Sequence, residues 1–414
     1  MKRLRLKDLG TFKTGLTYSP DNICEPNEGV LVLRSANIQD DILDLGDCVY
    51  VNNDIPSWMR VKKGDILICS RNGSANLVGK TAIINSDINA TWGAFMMLLR
   101  TRYNSNYINY LLNIIIRREK ARFSTSTINQ LTNSMLGGIV VDIFEDAKEQ
   151  QRIVEYLDAK TTEIDKKIEL LGKKRDAYKR LKIATINRAV TRGLDEHVSL
   201  KDSGMDWIDQ IPEHWEAARI KDVVSEIFMG TSPVYEYEED NNNFVFGQRN
   251  NQLDGINFDD IKFAKDSFFN ERQEYEFLKY GDVLINTLGG GSVGRTGYYD
   301  KNDDVRVITD GHIMVLRSKT YDTRYMYYYL LSRKERLENM AIGSTNQSFF
   351  NVSDVRVIPI PKPSSLEQKQ IAAYLDDRCA KIDEAVTIID KQIDALKRLK
   401  RSLINEVVTG KRMV

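Results

Sequence analysis

Short polar segments rich in Arg, Ser, Thr, Asn and Gln recur along the chain, and side chains of these types can recognise DNA. Arg pairs bidentately with guanine in the major groove, and Asn or Gln pairs with adenine in the same way. Lys and hydroxyl groups can bind phosphates. The candidates in the first half of the chain are Arg34, Ser35, Asn37, Ser70, Arg71, Asn72, Lys80, Thr125, Asn129 and Gln130. The candidates in the second half are Gln248, Arg249, Asn250, Thr287, Ser292, Arg295, Thr345, Asn346 and Gln347. One such loop alone is more often a solvated turn, but recurrence at matching places in both halves favours recognition.

The residue patterns of catalytic and metal sites do not occur in the sequence. The chain has three histidines, His197, His214 and His312, and none has a Cys or carboxylate at metal-ligand spacing. It contains no H-E-x-x-H, and it lacks the Pro-Pro pair of adenine methyltransferase motifs. Its one G-x-S-x-G spacing, at residues 290–294, lies in a glycine run without the strand–turn–helix context of a nucleophilic serine. We therefore expect no catalytic residue, no metal site and no cofactor.

One glycine-rich segment imitates a phosphate-binding loop. Residues 289–296 have the glycine spacing of such a loop, and the matching segment of the first half is 74–81. A working P-loop contains Lys and opens a helix whose N-terminus faces the phosphates. Here the second copy has Arg295 in place of Lys, the first copy begins with Ser74, and neither feature suits nucleotide hydrolysis. We predict a loop between two strands instead.

The longest pattern in the sequence is an internal duplication. Residues 149–192 and 367–410 align without a gap at an offset of 218, and 19 of 44 positions are identical. The regions before them repeat more weakly, since residues 64–68 match 281–285. A period this long is not that of a solenoid, whose units have about 20–50 residues. It indicates a duplicated half-molecule in which the scaffold is kept and the loops have diverged.

Hydrophobic periodicity predicts the elements that position the polar loops. For the first half it predicts a turn and strand at residues 61–68, strands at 81–84 and 95–99, and a helix at 106–122. For the second half it predicts strands at residues 281–286, 305–308 and 313–316 and a helix at 322–340.

Both copies of the repeat predict a long helix with a heptad seam. In the second copy the seam residues are Leu375, Cys379, Ile382, Val386, Ile389, Ile393 and Leu396. In the first copy they are Leu157, Thr161, Ile164, Ile168, Leu171, Arg175 and Tyr178. A helix of about 44 residues is roughly 65 Å long at 1.5 Å per residue. We expect an α+β protein with pseudo-two-fold symmetry, in which a long antiparallel two-helix coiled coil separates two α/β domains. The expected boundaries are 1–146 for the first domain, 147–192 for the first helix, 193–366 for a linker and the second domain, and 367–414 for the second helix.

Composition and charge set limits on the class of protein. The 414 residues are 42% hydrophobic and 29% charged, as is ordinary for a soluble protein. The net charge is zero overall but −10 over residues 193–366, which disfavours DNA binding there unless the basic residues gather on one face. Four widely spaced cysteines, the lack of a signal peptide and the lack of a long apolar run favour a cytoplasmic protein.

The whole chain resembles the specificity (S) subunit of type I restriction–modification systems. The resemblance rests on the order domain, helix, domain, helix and on the start of each long helix, where Glu-Gln is followed by Tyr-Leu-Asp. It rests also on Gly204-Met205-Asp206-Trp207 with Ile211-Pro212-Glu213-His214-Trp215, a stretch highly specific to this family. The resemblance implies a non-catalytic subunit with two target recognition domains, each of which reads half of a split site in double-stranded DNA. It also implies helices that bind two methyltransferase subunits and, through them, translocase–nuclease subunits.

We expect the methyltransferase subunits to bind the exposed faces at the start of the long helices, through Ile153, Tyr156, Leu157, Ile371, Tyr374 and Leu375. The alternative is that the two tyrosines complete the cores where helix meets domain. Two other functions stay open: an enzyme acting alone, either a methyltransferase or a P-loop ATPase, and a coiled-coil adaptor for proteins. The acidic second half would suit the adaptor.

Overall fold

The structure is a computed structural model that describes residues 1–39, 41–74, 77–123, 130–233, 237–238, 242–252, 255–259, 261–301, 305–341 and 349–414. Its strands and helices place the protein in the α+β class. The chain divides into two compact units. Unit 1 consists of Met1–Gly172 and Asp390–Val414, and unit 2 consists of Lys173–Ile389.

Unit 1 contains two four-stranded sheets. The first is antiparallel and has the spatial order Gly10–Thr14, Met96–Thr101, Ile66–Cys69, Thr81–Ile83. The second has the order Ala90–Trp92, Val30–Leu33, Val49–Val51, Ile23–Cys24, and its first two strands are parallel. Two-stranded sheets pair Lys2–Arg5 with Val140–Ile143 and Ile38–Gln39 with Ile42–Leu43. The central strands are apolar runs buried on both faces, which explains their lack of polar alternation.

Unit 2 repeats both four-stranded sheets in the same order. The antiparallel sheet consists of Glu226–Met229, Ile313–Arg317, Val283–Asn286 and Thr296–Tyr298. The mixed sheet consists of Arg306–Thr309, Asn243–Phe246, Lys262–Ala264 and Tyr237–Glu238, and its first two strands are parallel. Two-stranded sheets pair Leu200–Met205 with Ile208–Pro212, Glu216–Arg219 with Pro359–Lys362, and Asn251–Gln252 with Gly255–Ile256.

The helices in chain order are α1 Ser105–Phe123, α2 Asn133–Gly137, α3 Ala147–Arg192, α4 Ile220–Val223, α5 Asp266–Asn270, α6 Thr323–Ser332, α7 Lys334–Met340, α8 Val352–Arg356 and α9 Ser365–Val408. All but one of the strands and helices predicted from periodicity are confirmed, apart from shifts at their ends. The exception is the helix expected at residues 322–340, which is broken at Arg333 into α6 and α7. Arg333 has φ −102° and ψ 12°, and its amide bonds to Leu330 O, three residues back. Within the described residues, no helix is apolar over enough length to cross a membrane.

Each unit is completed by one segment of each long helix. The core of unit 1 includes Leu157 from α3 and Val407 from α9, packed with α1 and the antiparallel sheet. The core of unit 2 includes Val190 from α3 and Leu375 from α9, packed with α6. All 14 predicted heptad positions are buried or half-buried, as a helix seam requires.

An ion pair between α3 and α9 occurs in each unit. In unit 1 the Lys400 ammonium lies 2.6 Å from Asp165 Oδ2. In unit 2 the Lys182 ammonium lies 2.6 Å from Asp383 Oδ2. An offset of 218 converts one pair into the other. The duplication seen in the sequence is therefore a duplication of helix contacts as well.

Hydrogen bonds that join each domain to the start of the following helix are also duplicated. The side-chain oxygen of Gln150 accepts a bond from Asn104 N at 2.9 Å, and that of Gln368 accepts one from Asp322 N at 2.8 Å. Both glutamines are buried, at 1% and 4% exposure. A buried amide without partners would be costly, so these bonds fix the position of each helix start.

One buried tyrosine in each unit joins the domain to the end of the long helix that does not follow that domain in the chain. In unit 1 the hydroxyl of Tyr107, from α1, donates to Val408 O at 3.3 Å. In unit 2 the hydroxyl of Tyr325, from α6, donates to Val190 O at 2.7 Å. Each domain is thus tied to the start of one helix and to the end of the other, and the polar loops are carried on a scaffold that is fixed in the same way twice.

Candidate nucleic-acid interface

The polar loops of unit 1 converge where strands of both sheets end. Gly93 N donates to Leu33 O at 3.0 Å, and Ser70 N donates to Phe95 O at 2.9 Å. The side-chain amide of Asn72 donates to Ser35 Oγ at 3.1 Å. These bonds bring residues distant in sequence into one surface. We call this surface face 1, and it consists of Arg34, Ser35, Arg71, Asn72, Phe95 and Gln130.

An exposed aromatic ring dominates face 1. The side chain of Phe95 is 58% exposed, and the Arg71 guanidinium lies 5.2 Å from the centre of its ring. Ser70 is buried, and its hydroxyl donates to Phe95 O at 2.9 Å, so Ser70 holds the turn that presents the ring. Arg71 also forms an antiparallel backbone bridge with Gln130. A guanidinium over a ring combines a charge for phosphate or guanine with a surface for stacking.

The remaining described candidates of unit 1 serve partly structural roles. Arg34 Nη2 donates to Asp47 Oδ1 at 3.0 Å, which leaves other guanidinium donors for a ligand. Lys80 is half-buried, and its carbonyl accepts a bond from Cys69 N at 2.9 Å. Burial raises the pKa of the Cys69 thiol to about 11, as expected for a structural rather than reactive cysteine.

Asn37 and Asn250, two of the predicted base-contacting residues, lie inside the protein. Asn37 is fully buried; its Oδ1 accepts a bond from Arg34 N, and its Nδ2 donates to Asp44 O and Asp47 O. Asn250 is 3% exposed; its Oδ1 accepts a bond from Gly247 N, and its Nδ2 donates to Asn257 O. Because both amides are buried and bonded within their loops, both asparagines shape the loops that carry the faces.

The polar loops of unit 2 converge in the corresponding place. Thr287 N and Thr287 Oγ1 both donate to His312 O, at 2.9 Å and 3.0 Å. The side-chain amide of Gln248 donates to Leu288 O at 2.7 Å, and Leu288 forms a backbone bridge with Phe349. Thr287 is buried and, like Ser70, acts through the turn that it holds. We call this surface face 2, and it consists of Gln248, Arg249, Leu288, His312 and Phe349.

The glycine-rich segment of unit 2 is a loop between strands, as predicted. It connects Val283–Asn286 to Thr296–Tyr298 through a series of turns. The Ser292 hydroxyl donates to Leu288 O at 2.9 Å, and the Arg295 guanidinium donates to Asn251 O at 3.1 Å. Ser292 and Arg295 therefore hold the loop closed, and Arg295 keeps only part of its donor capacity for a phosphate.

A half-buried carboxyl group lies beside face 2. Asp310 Oδ1 accepts a bond from His312 N at 2.9 Å. Burial raises the pKa of the Asp310 carboxyl, and the hydrogen bond from His312 N opposes that rise. In the described part of the chain, no three His, Cys, Asp or Glu side chains are grouped so that they could hold a metal ion.

Five candidates, Thr125, Asn129, Thr345, Asn346 and Gln347, lie outside the described residues. Four residues that occupy the faces were not predicted from sequence: Phe95, Leu288, His312 and Phe349. A search for polar side chains passes over phenylalanine and leucine. His312 was considered only as a metal ligand, although it occupies the same place as Phe95, just before the strand that matches between halves.

Comparison with known proteins agrees with this architecture. The family model described as Type I restriction modification DNA specificity domain matches residues 212–398. The specificity subunit of the type I restriction enzyme MjaVIII from Methanocaldococcus jannaschii is 25% identical over 369 residues, which cover 85% of this chain and 80% of that protein. The EcoKI specificity subunit of Escherichia coli is 21% identical over 416 residues, which cover 97% of this chain and 86% of that protein.

Solved structures share the fold. A chain from a structural study of complex assembly and conformational transition of the type I R-M system has a TM-score of 0.76 at 16% identity, with 99% of this chain and 98% of that chain covered. The HsdS subunit from Thermoanaerobacter tengcongensis has a TM-score of 0.53 at 17% identity, with 99% and 97% covered. In sequence and fold, this chain is similar to the specificity subunits of type I restriction–modification systems.

The chain does not expose most of the residues that we expected to bind methyltransferase subunits. Four of these six residues belong to the cores: Ile153, Leu157, Ile371 and Leu375 are at most 1% exposed. Leu157 and Leu375 are positions of the helix seams, and all four side chains are buried in the cores where helix and domain pack together. Tyr156 is half-buried against the core of unit 1, and Tyr374 is 39% exposed.

Proposed function

We propose that this specificity subunit is a non-catalytic DNA reader, in which face 1 and face 2 each recognise one half of an asymmetric two-part site. The observation that carries the proposal is that two faces of different composition are presented by the same hydrogen bonds. Ser70 and Thr287 hold equivalent turns, while the side chains on those turns differ. A scaffold that is kept and side chains that differ are what two unlike half-sites require.

The two long helices set the distance between the half-sites in this proposal. Residues 1–146 and 193–366 are the target recognition domains, and 147–192 and 367–414 are the spacer. The duplicated ion pairs, Asp165–Lys400 and Lys182–Asp383, support antiparallel pairing, because the residue number falls on one helix as it rises on the other. A rod of roughly 65 Å can separate half-sites that lie about one duplex turn apart.

Heptad insertion tests the spacer. One heptad added to each helix, at the middle of its seam, should lengthen the unread gap between the half-sites and leave both half-site sequences unchanged. The measurement is methylome sequencing of a host that expresses the variant with its partner subunits. Replacement of one heptad by another of the same length is the matched control. A methylation motif that is a single uninterrupted core would contradict the proposal.

We further propose that two adenine methyltransferase subunits bind, one to each unit, and that translocase–nuclease subunits bind through them. A non-catalytic DNA-binding subunit can act only by positioning enzymes on the DNA. Each methyltransferase must then flip its target adenine out of the base stack. Duplicated exposed apolar side chains support two equal docking surfaces. Unit 1 exposes Leu170 (64%) and Leu399 (54%), and unit 2 exposes Ile388 (48%) and Leu181 (47%), which are the equivalent positions at the offset of 218. Tyr374 remains a candidate beside them.

Mass measurement of the assembled complex tests the stoichiometry. Two methyltransferase subunits per specificity subunit are expected for the unaltered protein, and Leu399→Glu should reduce the ratio to one. Leu366→Glu is the control, because Leu366 is 67% exposed but has Lys148 at its equivalent position. A complex of one subunit each that still methylates both strands of its site would exclude this arrangement.

A further inference from the structure

We propose that Phe95 and His312 are one duplicated specificity-determining position, and that the difference between them makes the two half-sites differ. This inference rests on the proposed DNA-reading function and assigns it to one residue in each unit. Both residues lie directly before the strand that matches between the units, Met96–Thr101 in one and Ile313–Arg317 in the other.

The backbone at this position is held by the same pair of hydrogen bonds in the two units. The carbonyl of Phe95 accepts bonds from Ser70 N (2.9 Å) and Ser70 Oγ (2.9 Å). The carbonyl of His312 accepts bonds from Thr287 N (2.9 Å) and Thr287 Oγ1 (3.0 Å). A buried hydroxyl that is devoted to one turn keeps the turn rigid and points its side chain outward. Rigid presentation from a scaffold is what base readout requires, since a loosely held side chain discriminates poorly.

The chemistry that each position presents is different. Phe95 offers an apolar ring, 58% exposed, which can contact a thymine methyl group but cannot form a hydrogen bond to a base edge. His312 is exposed and offers ring nitrogens, which can hydrogen-bond to a purine in the major groove. We therefore assign an A·T pair to the position read by Phe95 and a hydrogen-bonded purine to the position read by His312.

The neighbours of this position are exchanged between the two faces. Arg71 and Gln130 form the backbone bridge beside Phe95, whereas Leu288 and Phe349 form the equivalent bridge in unit 2. Face 1 thus has its exposed phenylalanine on the turn and polar residues on the bridge. Face 2 has its polar residue on the turn and an exposed phenylalanine, Phe349 at 46%, on the bridge. Such an exchange alters the order in which apolar and polar groups meet the bases, so one face cannot accept the half-site of the other.

Alanine and exchange variants test the inference in the complete methyltransferase complex. The measurement is competition binding with duplexes that carry the methylated motif and every single base change within each half-site. Phe95→Ala should weaken binding about 10-fold and abolish discrimination at one position of one half-site, with no change in the other. His312→Ala should do the same in the other half-site. Phe95→His and His312→Phe should change which base is preferred at those positions.

Two exposed aromatic residues that belong to neither face serve as matched controls. Trp58 is 53% exposed and its carbonyl accepts a bond from the Lys13 ammonium, and Tyr280 is 62% exposed and precedes Val283–Asn286. Trp58→Ala and Tyr280→Ala should leave affinity and discrimination within 2-fold of the unaltered complex.

Three results would overturn the inference. The first is that Phe95→Ala and His312→Ala preserve discrimination at every position. The second is that either variant weakens all duplexes evenly, as loss of a phosphate contact does. Both leave the DNA-reading function standing, because the unaltered complex still distinguishes two half-sites. If the unaltered complex distinguishes no bases at all, the proposed function fails and this inference fails with it.

Discussion

Unit 1 and unit 2 share their buried polar contacts and differ in what they expose. The glutamines at the helix starts, the tyrosines to the helix ends and the Asp–Lys pairs between helices occur in both units. By contrast, Phe95 corresponds to His312, and Arg71 corresponds to Leu288. A buried polar group must keep its partner, whereas an exposed side chain can change at little cost to folding. These buried contacts have therefore been kept after duplication, while the surfaces that we propose read DNA have diverged.

The two units also differ in how deeply the shared contacts are buried. The Arg317 guanidinium, 10% exposed, bonds to Asp282 and Glu226 and to the carbonyls of Tyr275 and Phe277. The equivalent Arg100 is 28% exposed and bonds to Asp65 and the carbonyl of Arg60. Substitutions at paired positions show how far the two units are energetically alike.

The largest effect is expected from the buried arginines. Arg317→Met should lower the free energy of unfolding of unit 2 by about 3–5 kcal/mol, because it leaves the fully buried Asp282 without a counterion. Arg100→Met should cost unit 1 less, about 1–3 kcal/mol, since water reaches part of that pair. Hydrogen exchange of peptides from each unit, measured in urea, separates the two losses. Equal losses would mean that the difference in burial has no energetic consequence.

The next effect concerns the glutamates that begin the repeats. Burial would raise the pKa of Glu367, but hydrogen bonds from His214, Trp215 and Ser364 outweigh it and lower that pKa to about 2. Since the folded pKa is below the unfolded value of 4.5, these bonds stabilise unit 2 above about pH 4.5 and are lost as the pH falls towards 2. Among the residues that the structure describes, the ion-pair partner of Glu149 is Arg152, 2.9 Å away.

Glu367→Gln should therefore cost unit 2 about 1–3 kcal/mol at pH 7, and the cost should shrink as the pH falls below 4. Glu149→Gln should change unit 1 by less than about 0.5 kcal/mol at any pH. Urea unfolding of both variants between pH 3 and pH 7 tests the comparison. A cost of Glu367→Gln that does not change with pH would contradict the assigned hydrogen bonds.

A smaller and more equal effect is expected from the tyrosines that join domain to helix end. Tyr107→Phe and Tyr325→Phe each remove one hydrogen bond to a backbone carbonyl, at a cost of about 0.5–1.5 kcal/mol. Burial raises the pKa of Tyr107 to about 12 and also raises the pKa of Tyr325, so both hydroxyls donate at neutral pH. Thermal unfolding should show the greater loss for Tyr325, whose bond is 2.7 Å long against 3.3 Å.

The smallest effect is expected from the ion pairs between the helices. Asp165→Lys should cost at most about 1 kcal/mol, because the Asp165 side chain is 53% exposed and salt screens the pair. Adding Lys400→Asp should restore most of the loss, and Lys182→Asp with Asp383→Lys should behave in the same way in unit 2. A double-mutant cycle at low and high salt measures both couplings. A coupling that differs between the two pairs would show that the helix contacts are less symmetric than their sequences.

Much of the fold could be predicted from sequence because the long helices and the strands have regular hydrophobic patterns. The long helices follow from heptads, and the strands follow from short apolar runs such as residues 66–69. The break at Arg333 could not be predicted, since residues 322–340 remain helical in pattern and tertiary contacts decide the break. The exposure of the expected docking residues was predicted wrongly for a related reason. A heptad leucine such as Leu157 or Leu375 has the same sequence pattern whether it faces a core or a partner protein.

The candidate faces were predicted in part. Polar residue types located the right loops, because loops after buried strands are where such residues collect. Residue type could not distinguish Asn37 from Asn72. The amide of Asn37 is buried inside the protein, whereas the amide of Asn72 bonds to Ser35 on face 1. That distinction depends on hydrogen bonds between residues far apart in the chain.

The division of the chain into units has a consequence for biosynthesis. Unit 2 consists of the continuous segment Lys173–Ile389, so all its residues have been made when the ribosome reaches position 389. Unit 1 begins the chain but also needs Asp390–Val414, which supplies Leu403, Val407 and Val408 to its core. The domain that emerges first must therefore wait, with part of its apolar surface uncovered, until the domain that emerges second has been translated. We expect a nascent chain to bury unit 2 first, and its N-terminal domain to be the part that depends on a chaperone.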